Sequence, residues 1–183
     1  MKVFVRITDA YRRFARSHPV FFIITNMILV LAWTFVIMRF SGESADISGP
    51  RSAKIVVGIV NTVAPSANVT LENYELVPWL HNSERVVRKL AHMAEYSVLT
   101  LLIWALLFGF YNLPRKYVNA IPVIATFILG MIDEKKQTTI AGRYGSWFDV
   151  CVDTAAAILT VIVIDRLTKR YRRLKKESNN PSS

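Results

Sequence analysis

Apolar residues in this chain come in four long runs, and the segments between them hold nearly all of the charge. The runs cover residues 20–38, 93–111, 117–132 and 150–164. A helix that crosses a bilayer needs about 17–25 mostly apolar residues. The first two runs meet this directly. The third is slightly short and contains Pro122, and the fourth extends backwards through Phe148 and Trp147. Within a bilayer only a helix satisfies its own backbone polar groups without closing a barrel. The pattern therefore predicts an all-α integral membrane protein, a bundle of four transmembrane helices.

The segments between the runs are less regular. Residues 41–50 are rich in Ser, Gly and acids and read as a turn. Residues 53–63 are apolar enough to lie along the interface or pack on the bundle. The 39–92 loop is thus expected to be partly helical. Asn82 or Ser83 is placed to cap a helix that runs on into the second span, with Glu84 in its first turn. Trp79 beside Pro78 reads as an interfacial anchor, and Trp33 and Trp104 as lipid-facing or core.

Composition narrows the class. Of 183 residues, 52% are hydrophobic and 20% charged, and their segregation excludes a disordered or collagen-like chain. The single cysteine, Cys151, excludes an internal disulfide framework and a thiolate zinc site, and reads as a small apolar filler. The first run has a basic front, like a secretory signal. Its 19 residues exceed the usual apolar core of about 7–15, so it reads as an uncleaved anchor.

Charge then sets orientation. The formal net charge is +10, and residues 1–19, 112–116 and 165–183 carry +4, +2 and +5 of it. The 39–92 loop carries +1, and 133–149 is balanced. Basic residues near span ends stay in the cytoplasm. Both termini are therefore expected inside. Residues 1–19 form a basic cytoplasmic segment, 20–164 the membrane domain and 165–183 a basic cytoplasmic tail. That tail, with its YRRLKK run, is drawn to anionic phospholipid. No aromatic-interleaved platform accompanies the basic residues, so nucleic acid is not the expected partner.

The ionisable residues within and beside the runs gather at one membrane face. Arg88, Lys89, His92 and Glu95 open the second span, Asp133, Glu134 and Gln137 end the third, and Asp149 and Asp153 open the fourth. Arg143 lies between the last two. At about 100° per residue, Arg88, His92, Glu95 and Leu99 share one stripe, as do Asp149, Asp153, Ala156 and Thr160. Glu95 and Asp153 lie inside apolar runs, where a charge costs at least about 2.5–3.5 kcal/mol, so they are expected to pair or to work. Lys135 and Lys136 read as snorkelling flanks.

These same residues carry a family resemblance. RKLAHMAEYSVL, followed by DEKKQTTIAGRYGSWFDVCVDTAA, resembles the VanZ-like family pattern R-K-x-x-H-x-x-E-Y, D-E-x-x-Q, G-R and D-V-x-x-[DN]. The matching positions are Arg88, Lys89, His92, Glu95, Tyr96, Asp133, Glu134, Gln137, Gly142, Arg143, Asp149, Val150 and Asp153. Ser41, Ser44 and Ser48 are similar to the Ser-rich start of the family's outer loop. Lys136 departs from the pattern, in which a histidine before the Gln is common, and alanines follow Asp153 where the family has glycine. The resemblance implies a multi-pass protein of the bacterial cytoplasmic membrane and an association with reduced susceptibility to teicoplanin.

Two classes of function fit these residues. One is a binding protein that holds an outer-leaflet lipid, a lipid-linked envelope precursor or a lipid-tailed antibiotic through Arg88, Lys89, Tyr96, Gln137 and Arg143. The other is a membrane enzyme with His92, Glu95, Asp149 and Asp153 as its acid–base groups. Asp133 and Glu134 are hard oxygen donors, suited to Mg²⁺ or Ca²⁺ rather than to zinc.

Overall fold

The computed structural model describes residues 2–67, 69–72, 78–110, 113–140 and 144–179. Six α-helices follow in order: α1 (Lys2–Ser17), α2 (Pro19–Ser41), α3 (Ala45–Val63), α4 (Pro78–Gly109), α5 (Arg115–Gln137) and α6 (Trp147–Asn179). A short 3₁₀ turn, Pro65–Ala67, follows α3, and the described residues include no strand. Helices α2, α4, α5 and α6 are each long and apolar enough to cross a membrane. Their outward faces agree. Val20, Phe21, Ile24, Ile28, Leu31 and Phe35 of α2 are all exposed. In water so continuous an apolar face would drive association, whereas in lipid it is the solvated state. The chain is a multi-pass membrane protein.

Local chemistry explains the helix ends. Pro19 takes the first position of α2, where its missing N–H is no loss. Pro114 precedes α5, and the Tyr117 N–H bonds back to its carbonyl at 2.9 Å. The Ser146 carbonyl accepts the Asp149 N–H at 3.0 Å as α6 begins, with Asp149 at the favourable positive end. Pro122 lies inside α5 but is fully packed, a tolerated arrangement within a bundle.

Helices α4, α5 and α6 form the core, and α2 packs mainly on α4, with its C-terminal end also touching α5. Ala156 and Ala157 are buried on α6, where their small side chains admit a close neighbour. Midway along the bundle the Thr100 and Thr126 hydroxyls meet at 2.9 Å, and both residues are fully buried. An interhelical bond of this kind contributes about 0.6–1.7 kcal/mol. At one end Trp104, Phe108, Val118 and Val161 form an apolar plug. There α1 returns to the bundle. The Tyr171 hydroxyl donates to Asp9 at 2.5 Å and the Tyr11 hydroxyl to Asn26 at 3.1 Å. At the opposite end lie the C-termini of α2 and α5 and the N-terminal halves of α4 and α6.

Several expectations are corrected. Residues 45–50 are helical, not a turn, because α3 starts directly after Ser44 and carries Pro50 within it. Packing of Ala53 and Val56 against Val87 of α4 outweighs the cost of that proline. Helix α4 begins at Pro78, so Asn82 and Ser83 lie inside it and not at its cap. Cys151 is exposed, because Asp149 and Asp153 turn inward and place it on the opposite face of α6. Lys136 does not simply snorkel. Its Nζ donates to the Met38 carbonyl at 2.6 Å, satisfying the C-terminal end of α2. Of the two readings for Trp104 the core one holds, and its indole N–H donates to Asn119 at 3.2 Å.

Candidate functional site

A cavity of about 270 Å³ opens where α4 and α6 begin and α5 ends. Helix α4 presents Arg85, Arg88, Lys89 and His92 to it, a spacing of three and four residues that selects one helical face. Helix α5 presents Glu134 and Gln137, and α6 presents Asp149, Val152 and Asp153. Tyr144, from the segment before α6, completes the wall. Cations thus stand on α4 and carboxylates on α5 and α6. One pair closes across the gap, with Lys89 Nζ 2.5 Å from Asp149 Oδ1. The same ammonium lies 4.5 Å from the Phe148 ring centroid, a cation–π contact.

The depth of the site is organised by Gln137. Its amide nitrogen lies 3.1 Å from Ser41 Oγ, 3.1 Å from Glu134 Oε1 and 3.3 Å from Asp133 Oδ2. All four residues are buried. The other Glu134 oxygen accepts the Ser146 N–H at 2.7 Å. One amide therefore ties α2 to two carboxylates of α5, and one of those carboxylates holds the start of α6. Tyr96 is buried behind the cavity beside Asp133, and neither Tyr96 Oη nor Asp133 Oδ1 makes a hydrogen bond of normal geometry. Asp153 is only 4% exposed and lies within electrostatic reach of Glu134, Asp133, Asp149 and Glu95.

A second cavity, of about 210 Å³, lies on the other side of α4, against α2 and α3. Arg88 and His92 line this one too. Glu95 belongs to it and not to the first cavity, although the two share one helical stripe with Arg88 and His92. His92 Nδ1 lies 3.6 Å from Glu95 Oε2, and the Trp33 indole donates to the Glu95 carbonyl at 2.9 Å. Glu43, Ser48, Arg51 and Ser52 form the facing wall. Arg51 grips Glu43 through two bonds, of 2.6 and 3.3 Å, while Arg39 stands 3.6 Å from the same carboxylate.

Of the residues singled out from sequence, Arg88, Lys89, His92, Glu134, Gln137, Asp149 and Asp153 meet in one cavity, with Tyr96 and Asp133 directly behind it. Glu95 sits across α4, and Arg143 lies outside the described residues. Sequence reasoning missed Arg85, Glu43, Arg51 and Ser146. The signal for Glu43 and Arg51 lay in a Ser- and Gly-rich stretch, where an i,i+8 charge pair is invisible until a helix is assumed. For Asp133 and Glu134 as cation ligands the fit is poor. Asp133 Oδ2 and both Glu134 oxygens already accept the Gln137 amide or the Ser146 N–H, and no group of three or more His, Cys, Asp or Glu among the described residues is arranged to hold a metal ion.

No curated protein and no solved structure matches the chain. A family model described as VanZ/LLP1 matches residues 24–168, which run from early α2 well into α6 and include every residue of both cavities. With so much of its length under that one model, the chain belongs to the VanZ/LLP1 family.

Proposed function

We propose that the cavity between α4, α5 and α6 holds the anionic headgroup of an outer-leaflet lipid or lipid-linked envelope precursor, in a bacterial cytoplasmic membrane. The observation that carries this reading is the convergence of Arg85, Arg88, Lys89 and His92 on a single wall. Guanidinium groups present several N–H donors in a fixed fork that suits phosphate oxygens. The carboxylates opposite favour a ligand that also carries hydroxyls, amides or an amine. On the far side of Glu134 lies a mostly apolar groove of about 280 Å³, lined by Met131, Trp147 and Val150, which suits a hydrocarbon chain. Arg143, carried by the family pattern, is a further phosphate ligand in this reading.

Binding at this site is how the protein lowers susceptibility to glycopeptides of the teicoplanin type, which carry a lipid tail and gather at the same surface. Deleting the gene should raise that susceptibility. His92→Ala, Asp149→Asn and Arg143→Ala should each reproduce most of the deletion at unchanged membrane level, while Cys151→Ala should be silent. Full activity in all three variants would refute the site. One observation favours an enzymatic second reading: His92 Nδ1 lies 3.6 Å from the Glu95 carboxylate, beyond hydrogen-bond length but within ion-pair reach of a group that orients a general acid or base once they close to bonding distance. Turnover of a lipid-linked precursor by the purified protein, lost in His92→Ala, separates that reading from simple binding.

In this reading both termini are cytoplasmic, because residues 1–19 and 165–183 concentrate the positive charge. The tail lies against anionic phospholipid. In a Cys151→Ser background, a membrane-impermeant thiol reagent should label Tyr144→Cys and not Ser178→Cys. Tyr144 is 91% exposed, so the substitution disturbs no packing. The reverse labelling pattern would place the cavity on the cytoplasmic side.

A further inference from the structure

Helix α1 lies across the base of the bundle, at the end opposite the cavities. Six of its 16 residues are charged, too many for a membrane span. Its contacts pass from helix to helix. A β-carbon at Gly109, the last residue of α4, would stand 3.4 Å from that of Ala15. The Tyr11 ring meets Phe22 of α2 edge-on, with centroids 5.1 Å apart. The Arg12 guanidinium carbon lies 4.0 Å from the Phe108 ring centroid of α4, and Asp9 accepts the Tyr171 hydroxyl of α6. From Ala15 back to Asp9, α1 thus runs from α2 and α4 to α6, transverse to helices that cross the membrane. The chain turns at His18, whose φ of −134° and ψ of 61° are not helical. Pro19 opens the α2 span and Gly109 closes that of α4, so α1 lies at the depth where spans end.

Around its axis α1 has three faces. At about 100° per residue, Ile7, Ala10 and Phe14 fall within an arc of about 60°. All three are exposed. Thr8 and Ala15 form the buried face against the bundle. Asp9, Arg13 and Arg16 form the third, with Arg16 opposite Ile7. The apolar arc is not isolated. Phe14 meets Phe21 of α2 edge-on with centroids 5.9 Å apart, and Phe21 belongs with Val20 and Ile24 to the lipid-facing surface of α2. One apolar surface therefore turns the corner from a membrane-crossing helix onto α1. A charged helix with an apolar face on one side and arginines on the other is built to lie in the plane of a bilayer surface.

We infer that α1 is an interfacial membrane-binding helix, with Ile7, Ala10 and Phe14 among the acyl chains and Arg13 and Arg16 at headgroup level. The bilayer is the partner because the arc continues the surface that α2 already gives to lipid. The inference rests on α2 crossing the membrane and on no reading of the cavities at the other end. With the orientation proposed above, the leaflet is the cytoplasmic one.

The test uses the full chain, spin-labelled, in vesicles of phosphatidylcholine and phosphatidylglycerol. In a Cys151→Ser background, the single variants are Ile7→Cys, Ala10→Cys, Phe14→Cys and Arg13→Cys, with Phe35→Cys on α2 as the lipid reference. All five positions are exposed, so the buried face of α1 stays intact. Oxygen gathers among acyl chains, and a water-soluble nickel chelate stays outside them. Labels at Ile7, Ala10 and Phe14 should be open to oxygen and closed to nickel, as at Phe35. The oxygen-to-nickel ratio should fall severalfold at Arg13. Labels at Ile7 and Phe14 should lie at equal depth, about 5–10 Å into the headgroup–acyl boundary. A helix aligned with α2 would set them about 10 Å apart in depth, from a rise of about 1.5 Å per residue, and that result would overturn the inference. Nickel access at all four α1 labels would also overturn it, in favour of a helix in water. Shielding of the arc from both reagents, with spin–spin broadening, would overturn it in favour of a second copy of the chain.

Discussion

Replacing Gln137 with leucine should destabilise the protein by about 3–5 kcal/mol, the cost of removing the partner of a buried charged group. Leucine nearly matches glutamine in volume, so packing is not the cause. The amide of Gln137 is the shared donor for Ser41, Asp133 and Glu134, and it is only 7% exposed. Without it, two buried carboxylates on one helix lose the amide donor that stands between them and the Ser41 hydroxyl. Leaving such groups unmatched costs far more than the net contribution of the bonds themselves. The measurement is the unfolding midpoint of purified protein, beside its level in the membrane. Lys135→Ala, two residues away on the exposed side of α5, should change stability by less than about 0.5 kcal/mol. A Gln137→Leu protein as stable as the parent would mean that the carboxylates are satisfied without the amide.

Gln137 also shows what the amino-acid order reveals and what it withholds. The four spans were legible because each is a run long enough to need lipid. The inward faces of α4 and α6 were legible because Arg88 and His92, and likewise Asp149 and Asp153, repeat at helical spacing. That Gln137 would be bonded to Ser41 was not legible. The link joins positions 96 residues apart and depends on how α2 leans against α5. The side of α4 on which Glu95 would lie was hidden for a related reason. A stripe about 100° wide can touch two neighbours, and only the position of α3 decides which residue meets which. Helix α3 was itself obscured by Gly49 and Pro50, local breakers that packing against α4 overrides.

Gly145→Val is expected to be nearly as damaging, by about 1–3 kcal/mol or more, the range for forcing atoms into filled space. A β-carbon at Gly145 would stand 2.5 Å from the Glu134 carbonyl oxygen and 2.7 Å from Thr138 Cγ2. The first of these is backbone and cannot step aside. The segment before α6 would have to lift off the end of α5, and the 2.7 Å bond from the Ser146 N–H to Glu134 would break. Tyr144 and Ser146 border the cavity and the groove respectively, so both would lose a wall. A lowered unfolding midpoint together with lost ligand binding is the expected pair of results. Gly58→Ala is the control, because nothing lies within 4 Å of a β-carbon there. A Gly145→Val protein with a parental midpoint would show that the segment has room to shift.

Arg88 and His92 stand on the partition between the two cavities and belong to both walls. A guanidinium can point its donors at an anion on one side of α4 or on the other, but it cannot serve two anions at full strength. The two compartments are therefore thermodynamically coupled through a shared pair of side chains. Any ligand that recruits Arg88 into one compartment lowers the affinity of the other for anions, and linkage makes the penalty identical in the reverse direction. Helix α3 and the Glu43–Arg51 clasp then become part of the affinity of a site that neither one touches.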